Sequence, residues 1–339
     1  MGYKNKVLTL MVVFLCMSII LGGCSNMSKE STTSGQYPSK SINIIVPFAA
    51  GGGMDLLART LEKSSQKYLG QPLVIVNIAG GGGTLGMNEM VAAEPNGYTI
   101  GAVGTSTILQ SLYGETRYHY PTALEPIVQV VSAPKVIAVL ADRPWNNLSD
   151  LVNYAKEHPG QIKFGHAGLG TATHVVGEML NKEAGIKLAQ VPFKGDSEAL
   201  TALLGGHIQI LSGNPAALKE HVQSGTVKIL GVAEEKRMTI HGFENVPTFK
   251  EQGINVSFNF SNGIVAPKGI PAAEKAKLVA GLKKMINDPE FKKVMMDIGM
   301  EVEYLGPDEF NDRWAEDNVK WTKIVKETGI ADIIRAQKK

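Results

Sequence analysis

Residues 42–63 read INIIVPFAAGGGMDLLARTLEK: an apolar run from Ile42 to Val46 passes through Pro47 into three consecutive glycines and then into a helical pattern from Met54. A strand, a bare loop and a helix in that order hold a small anion. Glycine lets the backbone approach a ligand closely, and the first helical turn offers unpaired N–H groups at the positive end of the helix dipole. The loop contains no Lys, Ser or Thr, so binding relies on main-chain amides. That suits a small carboxylate better than a nucleotide.

Outward from this unit, short β-branched runs alternate with helical patterns, which predicts α/β architecture with largely parallel sheets. Strands are predicted at 42–46, 73–76, 99–103, 127–131, 136–140, 162–165, 189–191, 208–211 and 228–232. Composition changes near ADRPWNNLSDL, where Pro144 interrupts and Ser149 is placed to cap a helix through Tyr154 to His158, and again near NFSNGIVAPKGIP. From Ala272 onward strands almost vanish apart from a short EVEYL run, and helical segments are broken at Asp288-Pro289 and Gly306-Pro307. Such helices are no domain alone, so they are expected to pack back on the first lobe, with the chain crossing between lobes twice. The expected lobes are 38–142 with 258–339, and 143–257. About 300 residues remain beyond the N-terminal region, more than one core usually holds.

At the N-terminus, Lys4 and Lys6 precede an apolar run from Val7 to Leu21 that ends in LGGC. The run is too short for a membrane span and reads as a cleaved lipoprotein signal over 1–23, with Cys24 the lipidated first residue. The polar stretch 24–37 that follows reads as a flexible tether. The only other cysteine, Cys16, lies in the discarded segment, which excludes a disulfide, a redox pair and a cysteine metal cluster. Without Lys4 and Lys6 the chain carries 32 basic against 32 acidic residues, a balance that argues against nucleic acid.

A second glycine loop, VNIAGGGGTLGMNEM, formally contains GxGxxG at Gly81, Gly83 and Gly86, the context of a dinucleotide fold. Thr105 and Ser106 stand where a ribose-binding carboxylate belongs. The loop therefore reads as a further amide-rich loop capped by Thr84, or as a plain structural turn. Neither Ser106 nor Ser212 lies in GxSxG, and the seven histidines lack HExxH spacing. His166 and His174 read as structural. In KFGHAGLGTATH, Gly168 and Gly170 free the backbone while Thr171 and Thr173 add hydroxyls beside a helix start. Two such loops facing each other clasp an anion from both sides. QVPFKGDSEAL is either a third such loop, with Phe193 and Gly195 at its strand end, or a turn capped by Asp196 or Ser197. Trp314 and Trp321, seven apart, share one helix face and read as packing.

These residues resemble the extracytoplasmic solute-binding receptors of tripartite tricarboxylate transporters, the TctC or Bug family. The likeness runs from PSKSINIIVPFAAGGGMDLLAR through NIAGGGG, EPNGYT, HAGLGTATH, VPFKG, LLGGHIQI, NVPTFKEQG and IVAPKGIP, in order and spacing. It implies a two-lobed periplasmic-binding-protein fold of type II with two interlobe crossings, and capture of a small carboxylate for membrane permease subunits. It implies no enzyme activity, cofactor or metal, and a monomer as the default. Carried onto this chain, Phe48, Ala50, Gly51 and Gly52 are nearest the ligand in the first lobe. Gly168, Thr171, Thr173, Phe193 and Gly195 face them, and Ser106 and Asn214 reach the variable part. Asp55 belongs to the same site and is expected to orient the loop rather than touch an anion. Departures are Met54 in the usual Gly-Thr-Asp, Phe193 for a tyrosine, Gln209 for an acid and Ser261 for a tryptophan. The rival readings are a sensory binding module without transport and an exported α/β enzyme, for which no nucleophile and base pair stands out.

Overall fold

The computed structural model describes residues 37–114, 116–132, 134–258 and 260–338. One compact unit spans Lys40–Lys339; the signal, Cys24 and nearly all of the tether lie outside the described residues. The chain first forms β1 (Ile42–Val46), α1 (Gly53–Leu69), β2 (Leu73–Asn77), α2 (Thr84–Ala92), β3 (Thr99–Gly104), α3 (Thr105–Leu112), α4 (Tyr120–Ala123) and β4 (Leu124–Ser132). It continues through β5 (Val136–Leu140), α5 (Leu148–Glu157), β6 (Lys163–His166), α6 (Ala172–Ala184), β7 (Ala189–Pro192), α7 (Asp196–Leu204), β8 (Ile210–Gly213), α8 (Pro215–Gln223) and β9 (Val227–Val232). It then returns through β10 (Ser261–Pro267), α9 (Ala272–Asn287), α10 (Pro289–Asp297), β11 (Glu301–Leu305), α11 (Pro307–Thr328) and α12 (Ile330–Lys338).

Two sheets result, in the orders β11-β4-β10-β3-β1-β2 and β7-β6-β8-β5-β9. This is the two-lobed α/β binding-protein fold. The sheets are mixed rather than largely parallel. β1 runs parallel to β2 and β3, and β6 to β7 and β8, whereas β10 is antiparallel to β3 and β4, and β5 to β8 and β9. β5 and β10 are the strands entered directly after a change of sheet. A strand arriving from the other lobe is free of the right-handed helical crossover that keeps its neighbours parallel, so it runs the opposite way. β11 is also antiparallel to its partner β4.

The first change of sheet falls between Ser132 and Val136, ahead of the break expected at 143, because β5 hydrogen-bonds into the second sheet. ADRPWNNLSDL lies beyond it, and α5 is capped by Asn147 rather than Ser149: the Asn147 side chain accepts from the Asp150 amide at 2.8 Å. The second change falls between Val232 and Ser261. The crossing segments are tied together, since Ala233 N–H donates to Lys135 O at 2.8 Å and Phe258 N–H to Ala233 O at 3.0 Å.

Strand β10, SNGIVAP, is buried along its whole length. Its polar start, glycine and terminal proline hide it from a periodicity reading. Gly263 is required by close approach, because a Cβ there would meet the Phe310 ring at 2.5 Å and Val128 O at 2.7 Å. The C-terminal helices do return to the first sheet: α9 packs on α1 and α11 on β4. Trp314 stacks on Phe310 at 5.7 Å, and the fully buried Trp321 lies 4.9 Å from Phe258 and 5.5 Å from Phe260. The long C-terminal helix thus props the second crossing, a ring contact worth roughly 3–5 kcal/mol if truncated to alanine.

Candidate functional site

In the first lobe, β1 ends at Pro47 and the chain turns through Gly51, whose φ of 81° demands glycine, before Gly52 caps α1. The turn is held from behind. Asp55, 1% exposed, accepts from Gly51 N–H at 2.8 Å, Arg59 Nε at 2.8 Å and Asn77 Nδ2 at 2.9 Å. The same Asn77 amide donates to Phe48 O at 3.1 Å. Burial pushes the Asp55 carboxyl up, but the Arg59, Gly51 and Asn77 donors outweigh it and leave it below its ordinary value. The loop is therefore pinned as a carboxylate-centred unit.

The second lobe achieves the same shape with hydroxyls backed by two imidazoles, and His174 Nε2 lies 3.3 Å from Glu178 Oε1. Thr171 caps α6: its hydroxyl donates to Gly168 O at 2.7 Å and accepts from His174 N–H at 3.4 Å. Thr173 Oγ1 accepts from Ala167 N–H at 3.0 Å, and Ser212 Oγ donates to Thr173 O at 2.6 Å. Behind them His166 and His174, both fully buried, stack at 4.2 Å. His166 Nε2 lies 2.8 Å from Gln190 Oε1 and Nδ1 3.0 Å from Gly168 O, while Gly170 N–H donates to His174 Nδ1 at 3.0 Å. Burial, reinforced by His174, pulls the His166 pKa down to about 3, so the ring is neutral at physiological pH.

These loops meet around one pocket between the lobes, enclosing about 510 Å³ of empty space with its open mouth. The cap residues of four helices line it: Gly52 of α1, Gly104 of α3, Thr171 of α6 and Asn214 of α8. Four positive dipole ends therefore converge on a single space. The lobes also cap one another. Ala172 N–H of α6 donates to Ser106 Oγ of the first lobe at 3.0 Å, and Gly53 N–H of α1 donates to the Asp196 carboxylate of the second. Ala49 N–H to Lys194 O at 3.3 Å, Ser197 Oγ to Ala50 O at 2.7 Å and Gln110 Nε2 to Leu169 O at 2.6 Å join the rims.

The pocket carries two buried ionisable side chains. Lys135, at the first crossing, is 6% exposed and its ammonium stands 4.8 Å from the Phe260 ring centre. Burial draws its pKa down to about 8, against Asp196 and Glu234, which raise it. Asp196, also 6% exposed, accepts from Asn214 Nδ2 through Oδ2, while its Oδ1 is buried without a partner. Burial leaves the Asp196 pKa above its ordinary value, although Asn214, Lys135 and the Gly53 amide draw it down. Among the described residues, no group of three or more His, Cys, Asp and Glu side chains is placed to hold a metal, and no helix is long and apolar enough to cross a membrane.

Of the residues singled out from sequence, Phe48, Gly52, Ser106, Thr171, Thr173 and Asn214 line the pocket. The others stand behind or beside it. Asp55 and Gly51 hold the first loop from outside, and Ala50 is exposed on the rim against Ser197. Gly168 and Gly195 are contact points between backbones, with a Cβ at Gly168 meeting Gly82 at 3.0 Å and one at Gly195 meeting Ala49 N at 3.1 Å. Phe193 packs toward Gly165 and the apolar cluster of the second lobe. The second glycine loop touches the facing lobe at Leu169 O rather than the pocket, and Thr84 follows the cap Gly83 instead of supplying it. Lys135, Asp196, Phe260, Ser261 and Asn262 are pocket residues that sequence reasoning missed. A lone lysine in the apolar stretch 127–140 was the available clue to the first; Asp196 read as a helix cap.

The sequence matches the model of the tripartite tricarboxylate transporter family receptor over residues 57–330. It is 30% identical over 296 residues to the UPF0065 protein in the gbd 5′ region of Cupriavidus necator, covering 87% of this chain and 90% of that one. Among solved structures, the periplasmic binding protein BugD superposes with a TM-score of 0.83 at 33% identity, over 87% of this chain and 99% of that one. MatC from Rhodopseudomonas palustris with bound malate superposes with a TM-score of 0.80 at 26% identity, over 85% of this chain and 100% of that one.

Proposed function

The chain belongs to the tripartite tricarboxylate transporter receptor family, and on that premise we propose that it captures a small mono-, di- or tricarboxylate and delivers it to the permease subunits of a tripartite transporter. It is a solute-binding receptor and not an enzyme. The observation that carries the carboxylate reading is the convergence of four helix N-termini on one pocket, each end equivalent to about half a positive charge. MatC, whose structure has bound malate, supports it.

In this reading the carboxylate sits among Gly52, Ser106, Thr171, Thr173 and Asn214, with Phe48 as an apolar wall. Asp55, Gly51, Ala50, Gly168, Phe193 and Gly195 serve by shaping the jaws. The lobes, 40–132 with 261–338 and 136–258, close by a hinge at the two crossings, and the permease reads the closed form. Cys24 carries the lipid that holds a monomeric receptor outside the cytoplasm, against the membrane.

Calorimetry of the processed chain against a panel of organic acids tests the capture, with NAD and a phosphate ester alongside. Saturable binding of at least one carboxylate is expected; binding of only NAD or the phosphate ester overturns the reading. For the anchor, Cys24→Ala is expected to move the protein from the membrane fraction to the soluble fraction. Retention at the membrane overturns it.

A further inference from the structure

The first lobe carries a basic face at the end remote from the pocket. Helix α1 starts at the pocket with Gly53 and ends at Leu69, 17 residues or about 25 Å away. There it meets the corner between α9 and α10, where Tyr68 Oη and Lys67 Nζ donate to Asp288 Oδ2 at 2.6 Å and 3.3 Å. Lys283 and Lys284 stand just before Asp288, Lys292 and Lys293 just after it, and Lys63 is one turn back along α1. All six lysines are exposed. The acids in the stretches 62–69 and 283–293 are Glu62, Asp288 and Glu290, and Asp288 is taken up by Tyr68 and Lys67. Because the chain's charges balance once Lys4 and Lys6 are removed, an excess of lysine here leaves an excess of acid elsewhere.

Helix electrostatics explain part of this cluster and not the rest. Lysines near the ends of α1 and α9 complement the negative poles of those helices, but Lys292 and Lys293 stand near the start of α10, the pole that disfavours cations. Met296, one turn beyond them on the same side, is 53% exposed. Lysines around an exposed apolar side chain suit an anionic bilayer surface, where each lysine strengthens binding about fivefold. The chain also enters the fold at this end. The compact unit begins at Lys40, and Ile42 N–H donates to Pro72 O at 3.0 Å, two residues past the Gly70 that caps α1. Fifteen residues separate Cys24 from Lys40, so a lipid on Cys24 holds the molecule by its basic end.

We propose that the corner of α1, α9 and α10 docks on an anionic phospholipid bilayer, with its lysines on the headgroup phosphates and Met296 in the interfacial layer. The pocket, at the other end of α1, then faces away from the membrane, in a pose for loading solute. The acidic excess on the rest of the molecule is repelled by the same surface, which fixes the orientation. The contact is electrostatic and reversible, so the receptor leaves it to present the closed cleft to the permease. Lipid and lysines act as two signals, the first setting distance and the second orientation. The role in loading rests on the capture and anchor readings; the docking itself does not.

The test is co-sedimentation of the processed chain carrying Cys24→Ala, and so no lipid, with phosphatidylcholine vesicles containing about 30% phosphatidylglycerol or none. Binding is expected to the anionic vesicles alone, and it should fall steeply as salt is raised. Lys283→Gln, Lys284→Gln, Lys292→Gln and Lys293→Gln together should weaken it about a hundredfold. The same change at Lys156, Lys163, Lys182 and Lys187 of the second lobe should alter it by no more than about twofold. A fluorophore on Met296→Cys should brighten on the anionic vesicles. One on Leu85→Cys, an exposed position next to the interlobe contact at Gly82, should not. Binding to both vesicle types or to neither, equal losses in the two lysine variants, or brightening at Leu85→Cys overturns the proposal. So does binding to soluble polyphosphate in place of the vesicles. No lipid anchor is present in this assay, so its failure leaves the anchor at Cys24 standing. The anchor fails separately, in membrane fractionation, and the capture of a carboxylate in calorimetry.

Discussion

The two jaws of the cleft are built alike and held differently. Both place a glycine-bearing loop between a strand and a helix N-terminus. In the first lobe a buried, ionised Asp55 gathers the loop through Gly51, Asn77 and Arg59. In the second, neutral hydroxyls and two stacked imidazoles do so. A loop that must present its amides to a ligand cannot spend them on itself, so its rigidity comes from a polar group behind it. Whether that group is charged decides how the jaw answers to pH.

Acid should separate the jaws first and most strongly. His166 titrates near 6.5 when unfolded and at about 3 in the fold. Its folded value is the lower one, so the unfolded chain binds the extra proton as pH falls through this window. Stability is then lost at about 1.4 kcal/mol per pH unit from this group. Asp55 is also lowered, but from 3.8; its contribution is complete above that value and is lost only as pH falls through the lowered one. Hydrogen exchange at pH 5 should show the β6–α6 segment losing protection while residues 47–55 keep theirs. Simultaneous loss in both jaws breaks the comparison.

Asp55→Ala comes next. It strands the Gly51 amide and the Asn77 side chain, and is expected to cost about 2–3 kcal/mol in urea unfolding, with the Arg59 share small because that side chain is 46% exposed. Thr173→Val removes the acceptor for the buried Ala167 amide at similar size, at an expected cost of about 1–2 kcal/mol that does not change between pH 5 and pH 8. A pH-dependent deficit there contradicts the neutral character of the Thr173–Ala167 contact. The smallest effect is expected for Ser106→Ala, about 0.5–1 kcal/mol by thermal melting, because water can replace the hydroxyl on Ala172 N–H at the pocket.

Much of this architecture was legible in local sequence. VPFAAGGGMD and HAGLGTATH announce strand ends and helix starts through glycine, threonine and apolar periodicity, features that act within a few residues. The same locality explains Phe48, Gly52, Thr171 and Thr173, whose place in the pocket follows from their place in the loop. β10 escaped because its burial comes from β3 and β4 on either side rather than from its own pattern. Ala50, Gly51 and Gly168 lie in the right loops but face away from the pocket, a direction set by backbone turns that motif spacing does not encode.

By itself the sequence determined the two-lobed α/β scheme, the amide-lined jaws and the family, since each rests on patterns continuous along the chain. The tertiary structure alone decided where the lobes exchange strands and which charges enter the pocket. Lys135 and Asp196 meet there because separate strands end at one cleft, and Gly53 and Asp196 touch across 143 residues of chain. Contacts of that kind depend on how the sheets close, and no neighbouring residue records them.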